Sequence, residues 1–244
     1  KTQREQAMTE LPNIWSYLSS EPLAWLTATL IAYLIGDWCA QKTGRGPLAN
    51  PVLIAVILLG TVLVLTDTPY QPYFEGAQFV HFMLGPVTVA LAVPLYQNRT
   101  LVRKSLLPMA GALLAGSLTA ILSALFVAKA MGVSGAELIS LAPKSTTAPV
   151  AIGIAENMGG LPTLTAVLVI LTGIIGAITV TPLMNAMRIT DWRARGFAVG
   201  VAAHGIGTAR AFHVNQTAGT FAGIGMGLNA LLTALITPYI LINI

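Results

Sequence analysis

Charge is what this chain has least of. Only 9% of its 244 residues are Asp, Glu, Lys or Arg, against roughly 25% in an ordinary soluble domain. A soluble protein of this length would bury one core and cover it with charge, and there is too little charge here to do so. Cysteine is scarcer still. The single Cys39 excludes an internal disulfide and a cysteine-built metal site. No metal-ligand spacing, nucleophile–base pair or paired carboxylates stand out, so neither an enzyme nor a bound cofactor or metal is expected. The net charge of +4 is small and spread over loops, which gives nucleic acid no footing.

Apolar residues fill the space that charge leaves. They make up 55% of the chain, and the mean hydropathy is +0.75. The expected fold class is an all-α polytopic membrane protein. Roughly 20 apolar residues cross the hydrocarbon core as a helix. Candidate segments lie at 22–40, 51–66, 76–98, 106–131, 137–158, 162–187, 195–213 and 217–242. Seven to eight transmembrane segments are expected, all within a single domain spanning 21–244. The polar leader, 1–20, carries Ile14, Trp15, Tyr17 and Leu18 and reads as an interfacial amphipathic helix. The chain opens on Lys1 rather than methionine, so further native sequence is expected before it. No signal-peptide cleavage pattern precedes the first span.

Three of these segments are interrupted: 76–98 by Gly85-Pro86 and Pro94, 137–158 by Pro143 and Pro149, and 195–213 by His204-Gly205-Ile206-Gly207. Basic residues bear on which segments cross. Lys42 and Arg45 follow the first segment, Arg99, Arg103 and Lys104 the third, and Arg188, Arg193 and Arg195 the sixth. If these loops share the cytoplasmic side, an even number of crossings separates Arg103 from Arg193. Three segments lie between them, so one does not cross. The expectation falls on 137–158, as a re-entrant hairpin or two half-helices meeting at mid-membrane. A faint repeat accompanies this. Leu84-Gly85-Pro86 aligns with Leu141-Ala142-Pro143 at an offset of 57 residues, and Gly116 then falls on Gly173. Paired broken helices of this kind mark substrate sites in transporters with inverted repeats. The spacing Gly223-x-Gly225-x-Gly227 reads as close helix packing.

The broken stretches also hold the chain's costliest residues, because ionisable groups at membrane depth normally line a cavity or a substrate path. Lys144, Ser145, Thr146 and Thr147 sit between Pro143 and Pro149. Pro149 suits the first turn of a half-helix, whose N–H groups around Val150 to Ile152 would face an anion. In the second stretch Gly205 and Gly207 permit unusual backbone angles or close approach to a ligand. His204 can carry or relay a proton, and Arg210 can grip a carboxylate with two hydrogen bonds. Glu156, two turns beyond Pro149, is a candidate partner for Lys144 or Arg210, and Asp37 beside Trp38 reads as interfacial. The surplus of basic groups makes the expected ligand an organic anion. Each residue has a plainer alternative: Lys144 snorkelling, Arg210 anchoring at the interface, His204 packing against a neighbouring carbonyl.

Several runs together resemble the LrgB/CidB family: Pro143–Pro149, Ile154–Gly160, Leu164–Gly173, Ala202–Ala211, Gly225–Thr233 and Leu84–Leu95. The resemblance covers nearly all of the chain from about residue 22. Thr146 and Ala148 stand where related sequences vary. It implies two roles. Bacterial members are called antiholin-like, for a role in murein hydrolase export and lysis beside a small holin-like partner membrane protein. A plastid relative carries glycolate and glycerate, and some bacterial pairs are linked to pyruvate uptake. The broken-helix pattern also looks similar to sodium/proton antiporter-like folds. The expectation is therefore a bacterial inner-membrane secondary transporter of small monocarboxylates (glycolate, glycerate, pyruvate or lactate). It would be homodimeric in the lipid bilayer and coupled to H+ or Na+. The alternative is a holin-system regulator without a substrate cycle. The candidate substrate-binding set is Lys144, Ser145, Thr146, Thr147, His204, Gly205, Gly207, Thr208 and Arg210, with Glu156 and His204 for proton coupling and Asn157, Thr88 and Asn229 as secondary positions.

Overall fold

The computed structural model describes residues 21–243 apart from Pro47, Leu91 and Asn98. The expected interfacial helix at 1–20 lies outside the described residues. In chain order the helices are α1 (Pro22–Lys42), α2 (Pro51–Leu65), α3 (Tyr70–Ala90), α4 (Ala92–Gln97), α5 (Arg99–Lys104) and α6 (Leu106–Ala130). There follow α7 (Gly135–Leu141), α8 (Ala148–Met158), α9 (Pro162–Ala186), α10 (Trp192–Val214) and α11 (Gln216–Ile242). Among the described residues there is no strand. Four helices, α1, α6, α9 and α11, are long and apolar enough to cross a membrane, and α2 is a shorter apolar helix. Large apolar side chains such as Leu107, Phe126 and Ile175 point outward, a surface suited to lipid and not to water. The protein is a multi-pass helical membrane protein.

The chain divides into two compact units, one running to Pro86 and the other from Val87. In the first, Asn50 starts α2: its side-chain oxygen accepts from the N–H groups of Val52 and Leu53 at 2.9 and 3.2 Å, with Pro51 in the first turn. Ala32, Ala55 and Leu59 form the contact between α1 and α2, and Trp25 meets Tyr73 edge-on at 5.6 Å.

The second unit is built around two fold-backs. The stretch 135–160 leaves and returns to one place. The Ser140 hydroxyl in α7 accepts from the Leu161 N–H, just beyond α8, at 2.7 Å, and its carbonyl accepts from Thr165 at 3.2 Å. Between these ends the chain turns through 142–147 and comes back along α8, a helix about 16 Å long at 1.5 Å per residue. That is about half the hydrocarbon thickness, so α8 alone is too short to span it.

Helix α10 is two half-helices. Ala203 and His204 leave helical geometry, with φ −128°, ψ 15° and φ 40°, ψ −134°. A straight helix would separate Val199 from Gly207 by about 12 Å. Instead a Cβ on Gly207 would lie 3.2 Å from the Val199 carbonyl oxygen and 2.6 Å from the Ala203 methyl. The chain therefore doubles back, and Val214 lines the same recess as Trp192. The first hairpin (135–160) adjoins the start of α9 and the second (192–214) follows its end, so their bases stand at opposite ends of that helix.

Close backbone packing holds the second hairpin to α11. A Cβ on Gly196 or Gly200 would land on the carbonyl oxygens of Ala218 and Ala222, respectively, and one on Gly225 would sit 2.7 Å from the Phe197 carbonyl. Gly225 thus takes the expected packing role and Gly223 is buried as well, while Gly227 faces open space. Two apolar clusters flank the centre. Val102, Met109, Phe197, Val201, Phe221 and Ile224 form one; Ile121, Leu125, Ala128, Leu138 and Ala142 form the other.

Candidate functional site

Between those clusters lies a polar centre, and Asn229 is its hub. Its side chain is 1% exposed. The amide nitrogen donates to the Ser145 carbonyl and to the Val201 carbonyl, both at 3.1 Å. The amide oxygen accepts from the Ser117 hydroxyl of α6 at 2.6 Å and from Thr233, one turn along α11, at 3.3 Å. One side chain therefore ties the turn of the first hairpin and the tip of the second to two full-length helices. Buried polar groups at this depth need partners, and an amide with two donors and an acceptor oxygen can serve all four.

Around the hub the first hairpin presents Lys144, half-buried, whose ammonium donates to the Ser145 hydroxyl at 3.1 Å. Ser145, Thr146 and Thr147 are all buried. The Thr146 and Thr147 hydroxyls have no hydrogen-bond partner in the protein. Thr147 occupies the N-cap of α8 but its side chain does not cap. The Thr147 carbonyl instead accepts from the Ala151 N–H at 2.9 Å, so that N–H serves the helix and does not face an anion. Two unsatisfied hydroxyls and an ammonium at a helix N-terminus give the turn an anion-attracting character.

The second hairpin brings His204 to the same region, three residues beyond the Val201 carbonyl that the hub holds. The His204 Nε2–H donates to the Val169 carbonyl of α9 at 2.8 Å, because a carbonyl can only accept. A Cβ on Gly173 would lie 2.6 Å from the His204 ring, so this glycine makes room for it. The packing alternative describes the ring as it stands. Of the two breaks, this one sits a residue earlier than the glycines suggest. The positive φ belongs to His204 and not to Gly205 or Gly207. Gly207 is small because Ala203 and Val199 press on it, while Gly205 meets only the Met226 sulfur at 3.9 Å. Thr208 spends its hydroxyl on the His204 carbonyl at 2.7 Å.

Other candidates lie elsewhere. Arg210 lines a recess at the base of the second hairpin, with Trp192 and Arg195; none of Lys144–Thr147 lines it. Glu156 and Asn157 are exposed toward the far end of α8, about 12 Å from its start. Glu156 makes no ion pair with Lys144, because among the described residues the salt bridges are Arg45–Asp37 and Arg193–Asp191. The Asn157 amide donates to the Gly153 carbonyl within its own helix. The Thr88 side chain lies outside the described residues. Sequence reasoning missed Ser117, Ser140, Thr165 and Thr233, whose roles depend on tertiary pairing. Among the described residues no group of His, Cys, Asp and Glu could hold a metal.

At the loop before α10, Asp191 caps the helix and grips Arg193. Hydrogen bonds from the Arg193 side chain and N–H hold its carboxyl down at about 2, so the pair stays charged across the physiological range.

Known proteins match this chain over most of its length. The sequence model of the LrgB-like family matches residues 29–242. A Bacillus subtilis protein named YwbG is 34% identical over 216 residues, covering 88% of this chain and 96% of its own. The holin-like protein CidB of Staphylococcus epidermidis is 32% identical over 214 residues, covering 88% and 93%. CidB of Staphylococcus aureus is 30% identical over 222 residues, covering 91% and 96%. No solved structure matches the chain. The matched region takes in both hairpins, the Asn229 hub, most of α1 and all of α6, α9 and α11: the chain belongs to the LrgB/CidB family of membrane proteins.

Proposed function

We propose that this protein is an antiholin-like component of a holin system in the bacterial inner membrane. There it controls murein hydrolase export and lysis together with a small holin-like partner. One observation carries this reading: near full-length similarity to staphylococcal proteins named holin-like. Deleting the gene is expected to change extracellular murein hydrolase activity and autolysis rate, with restoration by the intact chain. Unchanged autolysis with and without the gene speaks against it.

A second reading has its own observation. The half-buried Lys144 beside the partnerless hydroxyls of Thr146 and Thr147 favours a homodimeric carrier of small monocarboxylates such as glycolate, glycerate, pyruvate or lactate, driven by H+ or Na+. Seven to eight membrane segments arranged as an inverted repeat belong to this reading. Support comes from α6 with the first hairpin and α9 with the second, which repeat as span and hairpin in opposite directions. Purified protein in liposomes separates the two readings. Saturable counterflow of labelled glycolate or pyruvate, lost in Lys144→Met, supports the carrier. Absence of any saturable flux leaves the regulator.

A further inference from the structure

Lys144 stands at the turn of the first hairpin with no opposite charge beside it. Its Nζ donates to the Ser145 hydroxyl at 3.1 Å, a neutral partner that takes one of the three ammonium protons. Among the described residues both ion pairs lie elsewhere, at Arg45–Asp37 and Arg193–Asp191.

The elements packed against this hairpin supply no carboxylate. Helix α9 carries no ionisable side chain, α11 carries only Tyr239, and α6 carries only Lys129, in its last turn. Within the hairpin, Glu137 belongs to the first turn of α7, and Glu156 is exposed toward the far end of α8. Helix α10 brings His204, whose Nε2–H is committed to the Val169 carbonyl. Its other ionisable groups, Arg193, Arg195, Arg210 and His213, lie toward its two ends. An ammonium held out of water without a counter-charge is costly, and the neutral amine is not. The N-terminus of α8, four residues on, adds further positive character. An arriving carboxylate reverses that balance, and the buried, partnerless hydroxyls of Thr146 and Thr147 offer it two more donors.

We propose that the Lys144 amine is neutral in the empty site and takes up one proton as the anion binds. Anion and proton are then held together as a neutral pair. The step balances: an amine, a proton from water and a carboxylate give an ammonium carboxylate, and no bond to carbon changes. Lysine suits this role because its ammonium releases a proton when desolvated, whereas a guanidinium does not. The inference rests on the carrier reading. Within it, H+ becomes the coupling ion, one per anion, and Lys144 carries it in place of Glu156 or His204.

The test is titration calorimetry of glycolate and of pyruvate on the purified full-length protein between pH 7 and pH 9. Both acids stay ionised throughout, so any pH dependence of binding comes from the protein. The apparent Kd is expected to rise with pH, approaching about tenfold per pH unit once the amine has lost its proton. Buffers of different ionisation enthalpy should report uptake approaching one proton per anion at the upper end of the range. Lys144→Arg, whose charge is permanent, should show neither the slope nor the uptake, and Glu156→Gln should keep both. Should Lys144→Arg not fold, the proton count on the native chain decides alone. Binding without proton uptake overturns the proposal and leaves the carrier reading standing. A slope that survives in Lys144→Arg overturns it as well. Absence of binding at every pH removes the carrier reading, and the proposal falls with it.

Discussion

Asn229→Ala removes four hydrogen bonds at one stroke, those to Ser117, Ser145, Val201 and Thr233. In water-soluble proteins each would be worth about 0.5–1.5 kcal/mol net. Within a bilayer the unfolded reference also finds polar partners, and measured side-chain hydrogen bonds average about 0.6 kcal/mol. The lower figure applies to helices already inserted, so the expected loss is about 2–3 kcal/mol. Equilibrium unfolding in mixed detergent–SDS micelles measures it. Asn229→Leu separates two explanations. A leucine fills the volume but leaves the Ser117 hydroxyl and two carbonyls without their partner, so it should destabilise at least as much as alanine. Ser117→Ala should cost less, and the Ser117–Asn229 double-mutant cycle should return a coupling of about 0.5–1.5 kcal/mol. A loss below about 0.5 kcal/mol for alanine, or full rescue by leucine, would refute the hub and leave packing alone as the force at the centre.

Further outcomes are open to direct measurement. Gly200→Leu puts a side chain onto the Ala222 carbonyl and should abolish folded, monodisperse protein in size-exclusion chromatography, whereas Gly227→Ala, facing open space, should be neutral or stabilising by up to about 1 kcal/mol. Gly173→Ala drives a methyl into the His204 ring at 2.6 Å and should cost about 1–3 kcal/mol, less in a His204→Ala background. Ser140→Ala opens the base of the first hairpin, raising hydrogen exchange at the Leu161 amide, with a stability loss of about 1 kcal/mol. For Asp191 the folded pKa is about 2, below the ordinary 3.8. Its stabilising contribution is complete above about pH 4 and is lost as pH falls toward 2. The stability difference between the native chain and Asp191→Asn should vanish over that window, as read by pH-dependent unfolding.

Much of this was legible in the sequence wherever a local rule sufficed. Pro143 and Pro149 mark a break that is there, with Pro149 in the first turn of α8, whereas Pro86, expected to interrupt its segment, lies inside the continuous helix α3. The parity of basic loops pointed to the same segment, and the chain on its two sides meets where the Leu161 N–H donates to the Ser140 hydroxyl. The second break was visible as glycines, yet the distorted residue is His204. Its ring is held by Val169, thirty-five residues away, and no local pattern reports that bond. The fold-back of α10 was likewise hidden, since a kinked helix and a hairpin share one composition. Arg210 lies about 9 Å beyond His204 along the returning half-helix, which carries the arginine away from the tip toward the hairpin base. Asn229 was visible only as one polar residue in an apolar helix, because its meaning lies in Ser117, Ser145 and Val201, which tertiary structure brings together.

The central claim is that both polar motifs ride on hairpins that return to the face they left, from opposite faces of the membrane. Single cysteines in a Cys39→Ser background, labelled with a membrane-impermeant thiol reagent in vesicles of known orientation, test it directly. Cysteines at Ser134 and Leu161 should react from one face, and those at Thr190 and Gln216 from the other. Labelling of Ser134 and Leu161 from opposite faces, or of Thr190 and Gln216 from opposite faces, would contradict the claim.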